Sequence, residues 1–441
     1  MLTGPVDAIQ LPTAVQAAIF ALVVVFSLPL LERTAWFMLF IGAVATAAFL
    51  AMGTGLLSDI VAAGERGAFL ASLILSLSFL RAAASGSPLI TACSRILVRQ
   101  PPRRRYFALL SGGHFLGVII NFGVLNLIGP MVMKTDRSEP GGLAHRHRMM
   151  LAVIRGFSLA MLWSPTTLAQ ALIVEAVPGL EWIDLLPFTL GSAIVIAGLG
   201  YLFERVSVPA PPPSGAQSSP ISYRPLLHLC LLITTFLAII LIVSHQAKLS
   251  LIYAILPVAP VFSLLWIFYD CKVHRGNRAL TATGRELSKI VRGFPFQANE
   301  IVLLGSAGYL GAIVAAFLGG SALNTGGFIS AMPDTGLVVG MMVLIAIAAQ
   351  IGINPVVSVS ITGGVLATMP SLPVDSVALG LALALGWTIS HGSSPFSAAA
   401  LIAGRNMGLP AWEVGYRLNG LYSLALTGVS ALILTGITLM L

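Results

Sequence analysis

The chain has 441 residues, of which 57% are hydrophobic and only 9% are charged, and its mean hydropathy is +0.94. Soluble domains usually carry about 25% charged residues, so the composition excludes a soluble globular protein and predicts an all-α polytopic membrane protein. The formal net charge of +8 favours basic cytoplasmic loops over a nucleic-acid partner, which would need a basic face on a soluble surface.

Apolar runs of about 20 residues, the length that spans the hydrocarbon core, recur along the whole chain. In the first half we predict spans at 13–31, 35–52, 60–80, 149–177 and 185–203. In the second half we predict spans at 225–244, 249–268, 299–318, 377–405 and 418–440. The Pro- and Ser-rich residues between the halves predict a flexible cytoplasmic linker over 204–224.

Two further stretches, 106–132 and 338–370, predict re-entrant hairpins. The first allows two arms of about 13 residues, each about 20 Å long at 1.5 Å per residue, which reach the midplane and turn back. At a shift of 240 residues the two stretches pair three times, as Gly112 with Gly352, Gly123 with Gly363, and Pro130 with Pro370. This register places a tip at Ile120-Asn121-Phe122 in the first hairpin and at Ser360-Ile361-Thr362 in the second.

The distribution of Lys and Arg supports a hairpin over a single crossing. Basic loops at 95–105 and 134–148 flank the first stretch, and one crossing would put one of them outside, against the positive-inside tendency. A hairpin leaves both in the cytoplasm. A third basic loop, 272–292, is also predicted to be cytoplasmic, which orients the protein in the inner membrane.

Two segments that follow the hairpins match without a gap at a shift of 230 residues. Ser164-Pro165 in the first recurs as Ser394-Pro395 in the second, which predicts broken helices over 149–177 and 377–405. Residues 1–203 and 225–441 are thus two copies of one unit. Because each copy has five spans, an odd number, the second is predicted to be inverted, with spans 13–52 and 225–268 as the scaffold and the homodimer contact.

This order of elements resembles the ion transporter superfamily, which includes divalent anion/sodium symporters, citrate carriers and arsenite permeases. Asn121 and Phe122 stand at the first hairpin motif, and Ser360 and Thr362 at the second. The Ser-Pro breaks at 164–165 and 394–395 match the superfamily's broken helices. The resemblance implies a dimeric secondary transporter whose site lies at the hairpin tips and helix breaks.

The same site follows from the physical chemistry of broken helices. Helix N-termini present N–H groups and partial positive charge to an anion, whereas unwound carbonyls and small hydroxyls hold a cation. The candidate substrate and ion-binding residues are Asn121, Phe122, Gly123, Ser164, Pro165, Thr166, Thr167, Ser360, Thr362, Gly363, His391, Ser393, Ser394 and Pro395. Sodium is a candidate ligand near Asn121 and Thr362, and no other metal or cofactor is predicted. Alternatively, Ser and Thr beside Pro only cap kinks and pack helices.

Titratable candidates are few. His391 precedes the second break and His114 lies in the first hairpin, so either is a candidate for proton uptake. The alternative for both is a structural hydrogen bond to a neighbouring helix. Arg81 and Arg155 lie near apolar runs and are candidates to attract an anion, but both fall near predicted cytoplasmic boundaries, where the favoured role of an arginine is to snorkel.

The sequence therefore predicts a secondary active transporter of a small, anionic metabolite in the inner membrane, coupled to H⁺ or Na⁺. Two alternatives stay open, namely an intramembrane enzyme and a passive anion channel. The sequence has no Gly-x-Ser-x-Gly elbow, and each candidate serine precedes proline, which argues against the intramembrane enzyme. Paired hairpins imply movement between two states, which a passive pore does not require. The expected partners are the anion, the lipid bilayer and a second copy of the chain.

Overall fold

The structure is a computed structural model that describes residues 12–51, 56–134, 142–207, 222–319, 332–369 and 371–441. These residues form helices joined by turns, and none of them lies in a β-strand, which confirms the predicted all-α class. Eight segments among them are long and apolar enough to cross a membrane by length and composition. The protein is therefore a multi-pass membrane protein.

Each half contributes nine α-helices to the described part of the chain. Those of the first half are α1 (Thr13–Ser27), α2 (Arg33–Ala51), α3 (Leu57–Gly86), α4 (Pro88–Val98), α5 (Pro102–Ile120), α6 (Gly123–Met133), α7 (Gly142–Trp163), α8 (Leu168–Ala176) and α9 (Trp182–Ser207). Those of the second half are α10 (Arg224–Ala247), α11 (Leu251–Arg275), α12 (Ala279–Gly293), α13 (Ala298–Gly319), α14 (Asp334–Gln350), α15 (Pro355–Leu366), α16 (Ser376–Ser393), α17 (Ala398–Met407) and α18 (Gly420–Thr438).

The two halves repeat with one register. Helix α5 ends at Ile120 and α14 at Gln350, whereas α7 ends at Trp163 and α16 at Ser393, so both pairs of ends are 230 residues apart (350 − 120 and 393 − 163). The shift of 240 predicted for the hairpins is therefore wrong. The shift of 240 rests on chance matches between glycines and prolines, which are frequent in both stretches.

The second arm of each hairpin packs against the broken helix of the other half. In α6, a Cβ added at Gly129 would lie 2.5 Å from the Asn406 amide nitrogen of α17. In α15, a Cβ added at Gly363 would lie 2.7 Å from the Ala176 Cβ of α8. Two copies related by a two-fold axis are expected to exchange contacts in this way. The opposite orientation of the copies in the membrane stays a prediction.

Burial separates the centre of the molecule from its periphery. Helices α7 and α16 contact each other, and every residue of α16 from Val377 to Ser393 is buried. In α1, by contrast, only Phe20 and Ser27 are buried. An outward-facing apolar helix suits lipid or a second copy of the chain, so α1 belongs to the periphery and the broken helices to the core.

The basic loops predicted at 95–105 and 272–292 are largely helical. Helix α11 continues to Arg275, and α12 covers most of the remainder of the loop at 272–292. A search by mean hydropathy does not detect an amphipathic helix, because the polar face of the helix lowers the mean hydropathy. Most of the predicted linker, the centre of the loop at 134–148, and Pro370 lie outside the described residues.

Candidate functional site

The break between α7 and α8, residues 164–167 (break 1), is held by its own hydroxyl groups. Pro165 has no N–H and cannot continue the helix. The Ser164 and Thr166 hydroxyls lie 2.8 Å apart, and the Thr166 hydroxyl also donates to the Val118 carbonyl of α5. Thr167 donates to the Ser164 carbonyl at 2.7 Å. Break 1 is therefore fixed to the first arm of its own hairpin.

The break between α16 and α17, residues 394–397 (break 2), is held in the same way. The Ser394 hydroxyl donates to the Ala349 carbonyl of α14 at 2.6 Å. Ser397 donates to the His391 carbonyl at 3.0 Å and caps α17 by accepting from Ala400 N at 3.1 Å. In both halves, a hydroxyl of the break thus satisfies a carbonyl in the last turn of the hairpin's first arm.

The two hairpins turn at tips of different chemistry. Tip 1 consists of Asn121 and Phe122, and Asn121 has φ +51°, ψ −131°, a conformation that favours glycine. Tip 2 covers residues 351–354, where Gly352 has φ +92°. The Asn354 side chain caps α15 by accepting from Val356 N at 3.0 Å, with Pro355 as the first helical residue.

Carbonyls left open at the ends of α7 and α16 accept hydrogen bonds from the helices that follow the breaks. The Trp182 indole of α9 donates to the Trp163 carbonyl at 2.8 Å. The Asn419 amide, just before α18, donates to the Gly392 carbonyl at 2.7 Å. Since each helix end leaves four carbonyls without intrahelical partners, these side chains allow broken backbone to exist inside the protein.

Both tips and both breaks line one cavity of about 750 Å³ (the central cavity). Its polar lining near the breaks consists of Asn121, Asn126, Thr166, Asn354, Ser390, His391, Ser394 and Ser397. Its apolar lining includes Phe122, Trp387, Phe396, Leu401 and Ile402. Such a mixture of apolar walls with a few convergent polar groups is typical of small-molecule sites.

Two buried polar atoms of the central cavity make no hydrogen bond within the described part of the chain, the Asn121 Oδ1 and the His391 Nε2. The His391 ring is 8% exposed, and its centroid lies 5.3 Å from that of Phe122 and 5.5 Å from that of Phe157. A buried polar atom without a partner is costly. Both atoms are therefore available to a ligand.

The central cavity extends to a rim formed by Glu32, Arg81 and Glu300. Arg81 donates to Glu300 at 2.7 Å, and the two side chains are 21% and 42% exposed. Snorkelling is the favoured expectation for Arg81, but the side chain borders the cavity. The rim lies where α3 packs against the start of α13, a contact that sequence spacing does not reveal.

The structure is similar to solved structures of other proteins. The chain has the fold of solved membrane transporters. Its structure is similar to the YdaH transporter of Alcanivorax borkumensis, with a TM-score of 0.52, 16% identity, and coverage of 95% of this chain and 97% of that one. It is also similar to MtrF of Neisseria gonorrhoeae, described with a class of antimetabolite efflux pumps, with a TM-score of 0.53, 15% identity, and coverage of 92% and 94%. No family model and no curated protein matches the sequence.

Six of the fourteen predicted site residues line the central cavity: Asn121, Phe122, Thr166, His391, Ser394 and Pro395. Five lie at the tips and breaks but turn away from the cavity, namely Gly123, Ser164, Pro165, Thr167 and Ser393. Ser164 and Thr167 are fully buried, and their hydroxyls form hydrogen bonds within break 1, which fits the structural role that the sequence left open for them.

The three remaining predicted residues, Ser360, Thr362 and Gly363, are misplaced. They lie inside α15 rather than at tip 2, and Thr362 donates to the Ser358 carbonyl at 2.8 Å. The shift of 240 residues caused this error. Gly352 and the Asn354-Pro355 pair carry the local turn and helix-start signals that mark tip 2 correctly.

Arg155 lies inside the protein rather than at its surface. It is 4% exposed, and it donates to the Asn419 Oδ1 at 2.9 Å and to the Tyr106 hydroxyl at 2.8 Å. Its guanidinium carbon lies 4.0 Å from the centre of the Tyr422 ring. Since Asn419 also caps Gly392, Arg155 positions break 2 without contacting the central cavity. The expectation that Arg155 snorkels is wrong.

Proposed function

We propose that the protein is a secondary active transporter that carries a small organic anion across the inner membrane by alternating access. The central cavity carries this proposal, because both hairpin tips and both helix breaks meet there. Broken backbone at membrane depth is tolerated only where it lines a cavity or is buried in protein. The volume of about 750 Å³ is within the usual range for small-molecule sites.

The arrangement of helix ends supports an anion as the substrate. Helices α6, α8, α15 and α17 all begin at the tips and breaks, so four N-terminal partial positive charges point toward one region. At the opposing C-terminal ends, Thr166, Ser394 and Asn419 donate to the open carbonyls. These hydrogen bonds reduce the negative potential of the C-terminal ends, so the helix N-termini favour an anion beside the tips and breaks.

The same hydrogen bonds favour a proton over sodium as the coupling ion. Sodium prefers several oxygen ligands, and the carbonyls at both breaks already accept hydrogen bonds from side chains. Thr362, one of the two residues predicted near sodium, does not lie at a break. His391 lies in the cavity with a free ring nitrogen and is the best candidate for proton uptake. A sodium ion beside Asn121 is the weaker proposal.

Membership of the ion transporter superfamily, a homodimer and cytoplasmic basic segments complete the proposal. The hairpins and breaks occur in the order that the resemblance implies. Peripheral helices expose large apolar side chains, such as Phe26 on α1 and Leu227 on α10, which suits a dimer contact as well as lipid.

A different class of function receives less support. An intramembrane hydrolase would need a nucleophile activated by a base. The Ser394 hydroxyl instead donates to a backbone carbonyl, and no serine of the described chain donates to the His391 ring nitrogen. A passive anion channel differs from a transporter in being unable to use an ion gradient.

Thermal unfolding with a ligand panel tests the proposal. Purified protein is heated with carboxylates, sulfonates and inorganic oxyanions, each with and without sodium, and with neutral amides of the same carboxylates as controls. We expect at least one organic anion to raise the unfolding midpoint in a saturable way, independently of sodium, because ligand binding stabilises the native state. If amides act as well as their acids, anion recognition is refuted.

A further inference from the structure

A second cavity lies between α12 and the ends of α3 and α11, and it adjoins the central cavity at Gln297, which lines both. It has a volume of about 400 Å³ and is called here the α12 groove. Its floor includes Ala83, Ile267 and Ile290, and its charged rim consists of Asp270, His274, Arg275, Glu286 and Lys289. The transport function proposed above does not involve this groove.

The α12 groove lies at the level where a helix leaves the hydrocarbon. Helix α11 is apolar up to Tyr269 and becomes charged from Asp270 onward. Tyr269 is 66% exposed, and Leu280 at the start of α12 is 77% exposed. Exposed aromatic and apolar side chains beside charged ones are typical of the membrane–water interface. Phospholipid headgroups are therefore at the right depth to enter the groove.

The charges on the rim are balanced rather than basic. Lys289 pairs with Glu286 at 2.8 Å, so these two charges satisfy each other. Within the described ranges of the chain, neither the Asp270 carboxylate nor the Arg275 guanidinium takes part in an ion pair. One unpaired acid and one unpaired base over an apolar floor match a zwitterionic headgroup attached to acyl chains.

We propose that the α12 groove binds phosphatidylethanolamine from the surrounding bilayer. The Arg275 guanidinium donates to the lipid phosphate, the primary ammonium donates to the Asp270 carboxylate, and the chains lie along Ile267 and Ile290. Phosphatidylcholine is excluded from the second contact because its quaternary nitrogen has no N–H. Phosphatidylglycerol has no cation to offer Asp270.

Native mass spectrometry of the full chain in detergent tests this proposal. Phosphatidylethanolamine, phosphatidylcholine and phosphatidylglycerol with identical chains are added in equal amounts. We expect wild-type protein to retain phosphatidylethanolamine about tenfold more than either competitor, the preference that one hydrogen bond to a charged group gives. Equal retention of all three lipids, or a preference for phosphatidylglycerol, overturns the proposal without any variant.

Matched variants locate the site. Asp270→Ala should bring retention of phosphatidylethanolamine down to that of phosphatidylcholine, and Arg275→Gln should lower retention about tenfold. Arg278→Gln removes the same charge three residues away, outside the groove, and should retain the lipid as wild type does. If Arg278→Gln loses as much lipid as Arg275→Gln, general surface charge rather than the groove is responsible.

Discussion

The Ser394 hydroxyl donates a 2.6 Å hydrogen bond to the Ala349 carbonyl, which joins break 2 to the hairpin of the same half. Thr166 and Val118 form the corresponding contact at break 1. A serine or threonine beside proline thus does not only relax its own helix, because its hydroxyl satisfies a neighbouring helix end. We infer that each hairpin and the broken helix after it form one mechanical unit around the central cavity.

Replacement of Ser394 by alanine should destabilise the protein. The variant removes one donor from the Ala349 carbonyl, which still accepts from Gly352 N at 3.2 Å, and the loss of one such hydrogen bond costs about 0.5–1.5 kcal/mol. Reversible unfolding in denaturant measures the loss. Ser430→Ala is the control, because Ser430 is buried on α18 and its hydroxyl makes no hydrogen bond in the described chain. Equal stability of the two variants would refute the role of the Ser394 contact.

Asn121→Gly should separate stability from function. Glycine adopts the Asn121 backbone conformation without the strain of about 1–3 kcal/mol that such conformations cost other residues, so the variant should unfold no more easily than wild type. It lacks the free amide oxygen in the central cavity, so ligand affinity should fall at least tenfold. Titration of unfolding midpoints with the best anion of the panel measures both. Unchanged affinity would remove Asn121 from the site.

Arg155→Leu should destabilise the protein by about 2–5 kcal/mol, because it leaves the Asn419 and Tyr106 side chains without their buried partner. Arg155→Lys keeps the charge but cannot contact both Asn419 and Tyr106, so its free energy of unfolding should lie between those of wild type and Arg155→Leu. Arg205→Gln, on the exposed end of α9, is the control and should resemble wild type. The order of the unfolding free energies is the test, and a stable leucine variant would contradict it.

Helix α3 carries two ion pairs, fifteen residues or about 22 Å apart along its axis. Arg81 pairs with Glu300 at the rim, whereas Arg66 pairs with Glu175 at the end of α8. The Arg66 side chain is 53% exposed, so this contact is weak enough to open and close. We expect it to join α3 to α8 in only one of the two states of the proposed transport cycle.

Cross-linking tests that expectation. In a variant without its three natural cysteines, Arg66→Cys and Glu175→Cys are joined by a thiol-specific cross-linker. Transport in vesicles should stop after cross-linking, whereas each single-cysteine variant treated with the same reagent should continue. Full transport by the cross-linked protein would show that α3 and α8 do not separate during the cycle.

The sequence predicts features that depend on local signals, such as helix ends, but it does not predict contacts between distant segments. The Ser-Pro pairs mark the ends of α7 and α16, because proline cannot continue a helix and restricts the preceding residue. Tip 2 was missed because chance glycine and proline matches outweighed the Asn354-Pro355 helix start. No spacing argument predicts the Arg81–Glu300 contact, which joins residues 219 positions apart. Likewise, the burial of Arg155 depends on aromatic side chains from three other helices.

Accumulation of a labelled anion in proteoliposomes tests the proposed role of the central cavity most directly. Under an imposed pH gradient, we expect wild-type protein to concentrate the anion inside the vesicles, whereas His391→Gln should exchange it across the membrane without concentrating it. His245→Gln, an exposed histidine on α10, should behave as wild type. If wild-type vesicles only equilibrate the anion, whatever gradient is imposed, or take up no more than protein-free vesicles, the protein is not an ion-driven transporter of that anion.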